Sequence, residues 1–377
     1  MYERPRIELD HLKRLTDATG LFEHASYTTP NFAEGYSTDD NARALLLTVL
    51  LEELGLDSPD VSRLASTYAG FVNAAFAPGR RRFRNDLSCD GCWQDEVGSD
   101  DCFGRSLWTL GACVSRSKRR NLQSWALEVF EQALPGIAET TSPRGWAFGL
   151  LGIHEYFRRQ PGERPVAQIR DTLVGRLLKW HERAASADWP WFEDVLAYDN
   201  AQLAHALIVS GHAANSPKAR DVGLESLHWL AGVQKSPSGH FRPIGSNGFY
   251  RRGQERAQFD QQPLEAHAMV SACLAAYRVT GKAAWLREAH TTFDWFLGRN
   301  DLGLEMYDST TGGCRDGLHP DRVNQNQGAE STLAFLLSLA ELKRLEITPA
   351  ASRQVADRGP VPADHSGTEA RAAGHAR

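Results

Sequence analysis

Residues 35 to 55 read GYSTDDNARALLLTVLLEELG, in which two adjacent carboxylates open a nearly unbroken apolar run. Asp39 and Asp40 fall in the first turn of a predicted helix, where acidic side chains complement the helix dipole and accept hydrogen bonds from free backbone N–H groups. The residues that follow are apolar nearly all round, which is typical of a helix covered on every side. The stretch therefore predicts a buried helix whose entrance carries two negative charges.

Five further segments begin in the same way, with polar or acidic capping residues followed by small and apolar ones. The openings follow one another at intervals of 42 to 66 residues and are marked by Asp40, Asp101, Pro143, Asn200, Gln261 and Gln327. Two-faced segments alternate with them, with apolar residues at three- and four-residue steps. These segments lie at 61–76, 122–134, 166–184, 219–233 and 282–298. The alternation predicts helical hairpins that stack around a shared core.

Six such hairpins can close into a ring. The sequence therefore predicts an all-α protein with an (α/α)6 toroid, apolar helices inside and two-faced helices outside, as one domain over residues 1–347. All six polar openings would then lie at the same end of the ring. Strand signals are confined to short insertions, chiefly HFRPIGSNGFYRRG at 240–253, which predicts a short β-hairpin or a long loop. Residues 348–377 are rich in Ala, Pro, Gly and charge without a period, which predicts a disordered tail.

The composition argues against two classes of binding partner. The chain has 377 residues, 42% of them hydrophobic, and a net charge of −5 without a basic run, so neither nucleic acid nor an anionic membrane is an expected partner. No apolar run reaches the length of a membrane span. The opening MYERPRIELD lacks an export signal, and the six cysteines are few and scattered, so we expect a reduced, cytoplasmic protein.

Carboxylates and aromatic rings are concentrated at the predicted openings. Acids and amides bind sugar hydroxyls, aromatic faces stack on sugar C–H faces, and glycosidic cleavage needs a paired acid and base or nucleophile. We therefore expect one catalytic carboxylate at Asp40, opposed by Glu193, Asp194 or Asp101. Of the two aspartates, Asp39 is the one expected to cap the helix. The other expected substrate-binding residues are Tyr36, Asp39, Trp93, Trp146, Trp191, Tyr198, Asp199 and Gln261.

Two histidines support a different chemistry. His205 and His267 lie one turn inside the fourth and fifth apolar helices, where neutral imidazoles could bind substrate and serve as acid and base in sugar isomerisation, or be hydrogen-bonded core residues. CDGC at 89–92 has the spacing of a metal-ligand pair, but no second pair follows it. We expect neither a metal nor an organic cofactor. A doubly wound transferase fold is disfavoured because its parallel strands are missing from the pattern.

At GYSTDDNARAL, WFEDVLAYDNAQL and NQNQGAESTLAF the chain resembles bacterial proteins with a six-hairpin, glycosidase-like toroid, found alone or attached to glycosyltransferase domains. The resemblance covers roughly residues 20–345 and implies a functional link to a glycosyltransferase. A looser similarity is to bacterial α-1,6-mannanases, whose catalytic acids are two adjacent aspartates, a doublet matched in type by Asp39 with Asp40 and by Asp100 with Asp101. Cellobiose epimerases and related isomerases use the same toroid with histidines in the funnel.

The sequence thus predicts a glycoside hydrolase-like enzyme that cleaves an oligosaccharide, with mannose-containing glycans as the first candidates. One alternative is a sugar epimerase or isomerase that uses His205 and His267. The other is a non-catalytic, glycan-binding partner of a glycosyltransferase.

Overall fold

Six inner helices form a closed ring in the computed structural model, which describes residues 4–347. Each packs against the next along the chain, and the last packs against the first. The predicted (α/α)6 toroid is therefore confirmed, while the predicted tail at 348–377 lies outside the described residues. The inner helices are α2 (Thr38–Glu53), α4 (Asp100–Arg116), α6 (Pro143–Phe157), α8 (Asn200–Ala213), α10 (Pro263–Thr280) and α12 (Ala329–Ile347).

Each of the first five inner helices packs against the outer helix that follows it, and α12 packs against the short α1 (Asp10–Arg14). The difference in burial matches the difference in sequence pattern. In α8 every residue from 200 to 211 is buried, whereas α7 buries little beyond Val166, Leu173 and Leu177. A one-sided apolar stripe therefore places a helix on the outside of the ring. The outer helices are α3 (Pro59–Ala75), α5 (Arg120–Ala133), α7 (Arg164–Ala184), α9 (Pro217–Val233) and α11 (Ala283–Phe293).

Short strands occur in the segments that connect the helices. Within residues 4–347 they form six antiparallel pairs: β1 (Ala25–Ser26) with β2 (Thr29–Pro30), β3 (Tyr36–Ser37) with β6 (Asp86–Leu87), β4 (Phe76–Ala77) with β5 (Arg82–Phe83), β7 (Val195–Leu196) with β8 (Tyr250–Arg251), β9 (Tyr307–Asp308) with β10 (Gly313–Cys314), and β11 (Gly317–Leu318) with β12 (Val323–Asn324). Three 3-10 helices lie at Pro78–Arg80, Leu134–Glu139 and Asp294–Leu297. The segment 240–253 is mostly loop, and its strand β8 pairs with β7 rather than within a hairpin of its own.

Helices α4 and α6 approach each other through glycines. Gly104 and Gly111 lie two turns apart on α4 and face Gly145 and Gly152 of α6. A Cβ atom on Gly111 would lie 2.2 Å from the carbonyl oxygen of Gly152, and one on Gly104 would lie 2.5 Å from that of Gly145. The two backbones are therefore in direct contact, and larger residues would force the helices apart.

Among residues 4–347, no helix is long and apolar enough to cross a membrane.

Candidate functional site

The openings of all six inner helices meet at one end of the ring, as the sequence predicts. An open cleft of about 600 Å³ lies there, and a smaller pocket of about 220 Å³ adjoins it. We call the two together the mouth cleft. The larger part is lined by Glu23, Ser37, Asp39, Arg43, Asn85, Asp86, Ser99, Asp100, Asp101, Cys102, Arg105, Ser142, Tyr198, Leu264 and Glu330. The smaller part adds His24, Asp40, Gln262, Asp316, Gly328 and Ser331.

Arg43 forms the floor of the mouth cleft, although the sequence analysis did not single it out. Its guanidinium lies 2.9 Å from carboxylate oxygens of both Asp39 and Asp40 and 3.0 Å from one of Glu330. The arginine is buried, so these three carboxylates supply the charge that its burial requires. One positive charge is therefore shared among three carboxyl groups.

Arg105 lies beside this cluster and was missed in the same way. Its Nε atom is 2.8 Å from Asp39, and its guanidinium also pairs with Asp199, which is fully buried. A signal for both arginines was present in the sequence, because each follows an aspartate doublet by about one turn in an otherwise apolar helix. An arginine at such a position must find a carboxylate partner.

Asp39 is not the cap of its helix. The side chain of Ser37 accepts a hydrogen bond from the backbone N–H of Asp39 at 3.1 Å and fills that position. Because the serine satisfies the helix end, the Asp39 carboxylate is available to bridge Arg43 and Arg105 at the surface of the mouth cleft.

The carboxyl of Asp40 has a raised pKa. Burial raises the pKa of its carboxyl to about 8; Arg43 opposes that rise, and Glu330 and Asp39 add to it. The physical reason is that three carboxylates face one guanidinium, and the most enclosed of them is the most costly to ionise. Burial also raises the pKa of Glu23, in the same pocket, to about 7, with Asp86 and Glu330 adding to the rise.

Asp101 lines the larger part of the cleft, where it accepts hydrogen bonds from Ser142 Oγ at 2.6 Å and from the Tyr198 hydroxyl at 2.7 Å. Its neighbour Asp100 binds Arg82 and two backbone N–H groups instead. Burial works to raise the pKa of Asp100, but these contacts outweigh it and hold the pKa below its usual range. The two acids of this doublet therefore differ: Asp100 anchors a loop, and Asp101 faces the cleft.

Glu193 and Asp194 do not line the mouth cleft. Glu193 accepts a hydrogen bond at 2.8 Å from Arg144. The Nε atom of Arg144 also donates a hydrogen bond to the backbone carbonyl of Tyr198. Asp194 is 81% exposed and lies 3.7 Å from Arg252.

The aromatic residues that the sequence nominates as sugar platforms have different surroundings. Tyr198 is exposed and lines the cleft. Trp93 is partly buried against an aromatic cluster, and Tyr36 is buried beneath the mouth with its hydroxyl bound to an aspartate. Trp146 donates its indole N–H to a backbone carbonyl, and Trp191 is completely buried. The rings of Tyr36, Trp146 and Trp191 therefore belong to the packing and offer no free face to a ligand.

Three further predicted residues are not among those that line the mouth cleft. Gln261 is fully buried, and its side-chain amide donates a hydrogen bond to Asp301. His205 lines a separate cavity, and burial lowers its pKa to about 3, so it is neutral. His267 lies 3.7 Å from Glu341, which lines that same cavity. The histidines predicted for isomerisation therefore do not lie among the residues of the mouth cleft.

Glu265 was not predicted as a site residue, although its pKa is perturbed. Burial raises that pKa to about 7 in spite of hydrogen bonds from Asn200 and Gln234. Cys89 and Cys92 of the CDGC segment are exposed, and among residues 4–347 no group of three or more His, Cys, Asp or Glu side chains could hold a metal ion.

Comparisons with known proteins identify the fold but no sequence family. No protein-family model matches the chain, and no curated protein matches it in sequence. A sugar epimerase from a ruminal bacterium superposes with a TM-score of 0.68 at 11% identity, covering 90% of this chain and 96% of the other. A D-mannose isomerase gives 0.64 at 11% identity, covering 90% and 94%. A GH76 α-mannanase of Bacteroides thetaiotaomicron gives 0.63 at 9%, covering 89% and 92%. The chain thus shares the six-hairpin, glycosidase-like (α/α)6 toroid with these proteins.

Proposed function

We propose that the protein is a carbohydrate-processing enzyme and, more narrowly, a glycoside hydrolase acting on an oligosaccharide. The observation that carries this proposal is the buried carboxyl of Asp40, whose pKa burial raises to about 8, beside the other carboxyl groups of the mouth cleft. Glycosidic cleavage requires one carboxyl group that donates a proton and a second that acts as base or nucleophile. Neighbouring carboxyl groups whose surroundings push their pKa values apart are suited to these two roles.

In this proposal Asp40 donates a proton to the glycosidic oxygen. Asp40 lines the smaller part of the mouth cleft, and Asp101 is the preferred opposing carboxylate because it lines the adjoining larger part, whereas Glu193 and Asp194 line neither. Asp39 and Glu330 keep Arg43 in place and contribute negative charge that favours an oxocarbenium-like transition state. Tyr198 supplies an aromatic surface. A carboxyl separation of about 5–5.5 Å would retain the anomeric configuration, and one of roughly 6.5–9.5 Å would invert it.

The charge of the mouth cleft supports a neutral glycan as substrate. Its larger part is lined by six carboxyl groups and two guanidiniums, Arg43 and Arg105. Such a surface repels uronic acids and sugar phosphates. We take mannose-containing oligosaccharides as the first candidates, in line with the mannose isomerase and the α-mannanase among the similar structures.

A sugar epimerase or isomerase is the second candidate function. Its support is the similarity to the ruminal epimerase and the D-mannose isomerase. Because His205 and His267 do not line the mouth cleft, its acid and base would come from other groups. Glu23 and Asp40 are available there, with pKa values of about 7 and 8.

The test is a panel of neutral oligosaccharides incubated with the wild type and with the variants Asp40→Asn, Asp101→Asn and Glu193→Gln. Both release of reducing ends and epimerisation at C2 are followed. We expect release by the wild type and a loss of about 10²–10⁴-fold in Asp40→Asn, the usual contribution of a general acid. Asp171→Asn, which changes an exposed carboxylate on α7, is the matched control.

Each other outcome has a definite meaning. Release that persists in Asp40→Asn contradicts the proposed acid. Epimerised product without release establishes the second candidate function. Binding of a glycan without turnover indicates a non-catalytic partner of a glycosyltransferase.

A further inference from the structure

A small pocket outside the mouth cleft lies between the turn that follows α9 and the segment at the end of α11. Its volume is about 220 Å³, and we call it the turn pocket. None of its lining residues lines the mouth cleft. The lining residues are Ser238, Gly239, His240, Thr291, Asp294, Arg299 and Asn300. A serine and a histidine therefore share the wall of a second, separate pocket.

The sequence SPSGH at 236–240 forms a tight turn that presents Ser238 to solvent. Gly239 has a φ angle of 88°, in the left-handed region that glycine adopts without strain. Two backbone hydrogen bonds of 2.9 Å close the turn, from Gly239 N–H to the carbonyl of Ser236 and from Ser236 N–H to the carbonyl of His240. The turn therefore fixes the exposed serine close to the histidine two residues later.

His240 connects this serine to a buried carboxylate. Its Nδ1 atom lies 2.9 Å from Ser238 Oγ, and its Nε2 atom lies 3.1 Å from an oxygen of Asp301. The Asp301 side chain is only 6% exposed, whereas that of His240 is 18% exposed. A hydroxyl, a base within hydrogen-bond reach of it and a third group that orients the base are the arrangement of an activated nucleophile.

The other contacts of Asp301 determine which ring nitrogen of His240 carries a proton. Arg242 Nε lies 2.7 and 2.9 Å from the two oxygens of Asp301, and the Gln261 amide donates to it at 2.7 Å. Burial works to raise the pKa of Asp301, but the hydrogen bonds from Arg242, Gln261 and His240 outweigh it and hold the pKa below its usual range. Because the carboxylate can only accept, the neutral imidazole is protonated at Nε2 and has a lone pair at Nδ1.

The hydroxyl of Ser238 is consequently the donor in its contact with His240. Ser236 Oγ accepts a hydrogen bond of 3.1 Å from the backbone N–H of His240 and lies 3.1 Å from Ser238 Oγ. The proton of Ser236 is therefore available to Ser238, whose own proton is directed to Nδ1. All these hydrogen bonds are compatible with one another, and they leave the Ser238 oxygen in the state that a base can activate.

Two groups beside Ser238 can stabilise negative charge on a substrate oxygen. Within residues 4–347, no group accepts a hydrogen bond from the backbone N–H of Ser238. The nucleophile's own N–H forms part of the oxyanion hole in serine hydrolases. Arg299 lines the same pocket with its side chain 58% exposed, and it pairs with Asp294 through Nη1 at 3.3 Å. Its remaining N–H groups provide a second source of positive potential.

We propose that the turn pocket is a second catalytic site, at which Ser238 hydrolyses small acyl esters. Ser238 Oγ bonds to the carbonyl carbon and its proton passes to His240 Nδ1; the bond to the alcohol oxygen breaks, and the alcohol leaves with that proton. Water then gives a proton to His240 and bonds to the acyl carbon. The bond to Ser238 Oγ breaks, the serine recovers its proton, and a carboxylic acid is released.

The dimensions of the turn pocket support a short acyl group. Its volume of about 220 Å³ is smaller than the roughly 300–1,000 Å³ of pockets that hold drug-sized ligands. Asp301 does not line the pocket, so its part is to position the imidazole. This proposal does not depend on the chemistry at the mouth cleft, because the two sites share no lining residue.

The test combines hydrolysis of 4-nitrophenyl acetate by the full chain with covalent labelling by a fluorophosphonate probe. The probe forms a P–O bond with an activated serine and loses fluoride, and mass spectrometry of the digested chain locates the label. We expect ester hydrolysis and a label on Ser238. Ser238→Ala should abolish the label, and both it and His240→Gln should lower kcat/KM by about 10²–10⁴-fold.

Matched controls separate this site from general surface reactivity. Ser66→Ala on α3 and His228→Gln on α9 change exposed residues of the same kinds and should keep the wild-type rate and label. Asp301→Asn should lower kcat and leave KM nearly unchanged, because the aspartate positions the base and does not contact the substrate. Circular dichroism and thermal melts show whether each variant folds.

The site of labelling in the wild type decides the proposal even if a variant does not fold. Absence of ester hydrolysis by the wild type, or absence of a label on Ser238, overturns it. Undiminished hydrolysis by folded Ser238→Ala also overturns it, because the reaction would then take place elsewhere on the chain.

Discussion

Arg43 donates a hydrogen bond of 2.9 Å to Asp40, three residues earlier on the same helix, at the floor of the mouth cleft. The same guanidinium contacts Asp39 and Glu330, which are more exposed than Asp40. The arginine therefore cannot neutralise every acid around it, and burial raises the pKa of Asp40, the carboxyl that water reaches least. The contacts of Arg43 therefore bear both on the stability of this end of the toroid and on the chemistry proposed for it.

Replacement of Arg43 by Met should be strongly destabilising. The variant leaves three carboxylates facing one another without their shared cation, and loss of one partner of a buried ion pair typically costs about 3–5 kcal/mol. Urea unfolding at pH 7 measures the change. Arg63→Met, at a position 71% exposed, is the matched control and should stay within about 0.5 kcal/mol of wild type. A similarly small change for Arg43→Met would show that the cluster relaxes without its cation.

The titration of Asp40 predicts a pH-dependent difference between the wild type and Asp40→Asn. The pKa of the carboxyl is about 8 in the folded chain against an ordinary value of 3.8. Between these values the folded chain keeps a proton that the unfolded chain releases, so this group makes stability fall as pH rises from about 4 to about 8. Asparagine removes the effect.

The free energy of unfolding of Asp40→Asn should therefore gain on that of the wild type across this interval and run parallel to it above pH 8. Urea unfolding at a series of pH values measures the difference. A difference that stays constant from pH 4 to 8 would show that Asp40 is ionised throughout.

The fold was predictable because its signal is periodic. Helices that are apolar all round, such as α2, alternate with two-faced ones such as α7, and that contrast alone separates the inside from the outside of the ring. The convergence of the six openings follows from the topology. Periodicity does not fix where a side chain in a connection points, however. Trp191 precedes α8 in a loop and turns into the core, while Tyr198, in the same loop, faces the cleft.

The site was only partly predictable for a related reason. Asp39 and Asp40 are adjacent, but successive helical residues point in different directions, so their burial differs, and burial raises the pKa of Asp40. The choice between them depends on Arg43 and Glu330, which lie on two helices that are distant in sequence. Ser37 also had to be recognised as the cap before Asp39 could be assigned to the cleft.

Asp199 should be sensitive to both its charge and its backbone. It is fully buried, pairs with Arg105, and has a φ angle of 48°, in the left-handed region that asparagine and aspartate tolerate better than alanine. Asp199→Asn loses the charge, and Asp199→Ala loses the charge and adds backbone strain. We expect both to lower the free energy of unfolding at pH 7, the alanine variant by about 1–2 kcal/mol more. Equal losses would mean that the local backbone is unstrained.

Replacement of glycine by alanine should have opposite effects on stability at the contact between α4 and α6 and at a glycine outside it. Gly111→Ala places a methyl group 2.2 Å from a backbone carbonyl oxygen of α6, so the helices must separate, and overpacking of this kind costs about 1–3 kcal/mol. Gly70→Ala lies within α3, where the new methyl group meets no atom within 4 Å beyond its chain neighbours and the backbone of its own helix, and should stabilise by up to about 1 kcal/mol because alanine favours the helix.

Thermal and urea unfolding of the two variants measure the contrast. Gly152→Ala, whose methyl group would lie 2.5 Å from the carbonyl oxygen of Leu107, should resemble Gly111→Ala. The double variant should cost less than the two single losses together, because the first separation of the helices makes room for the second methyl group. Strict additivity, or a neutral Gly111→Ala, would contradict the direct backbone contact between these inner helices.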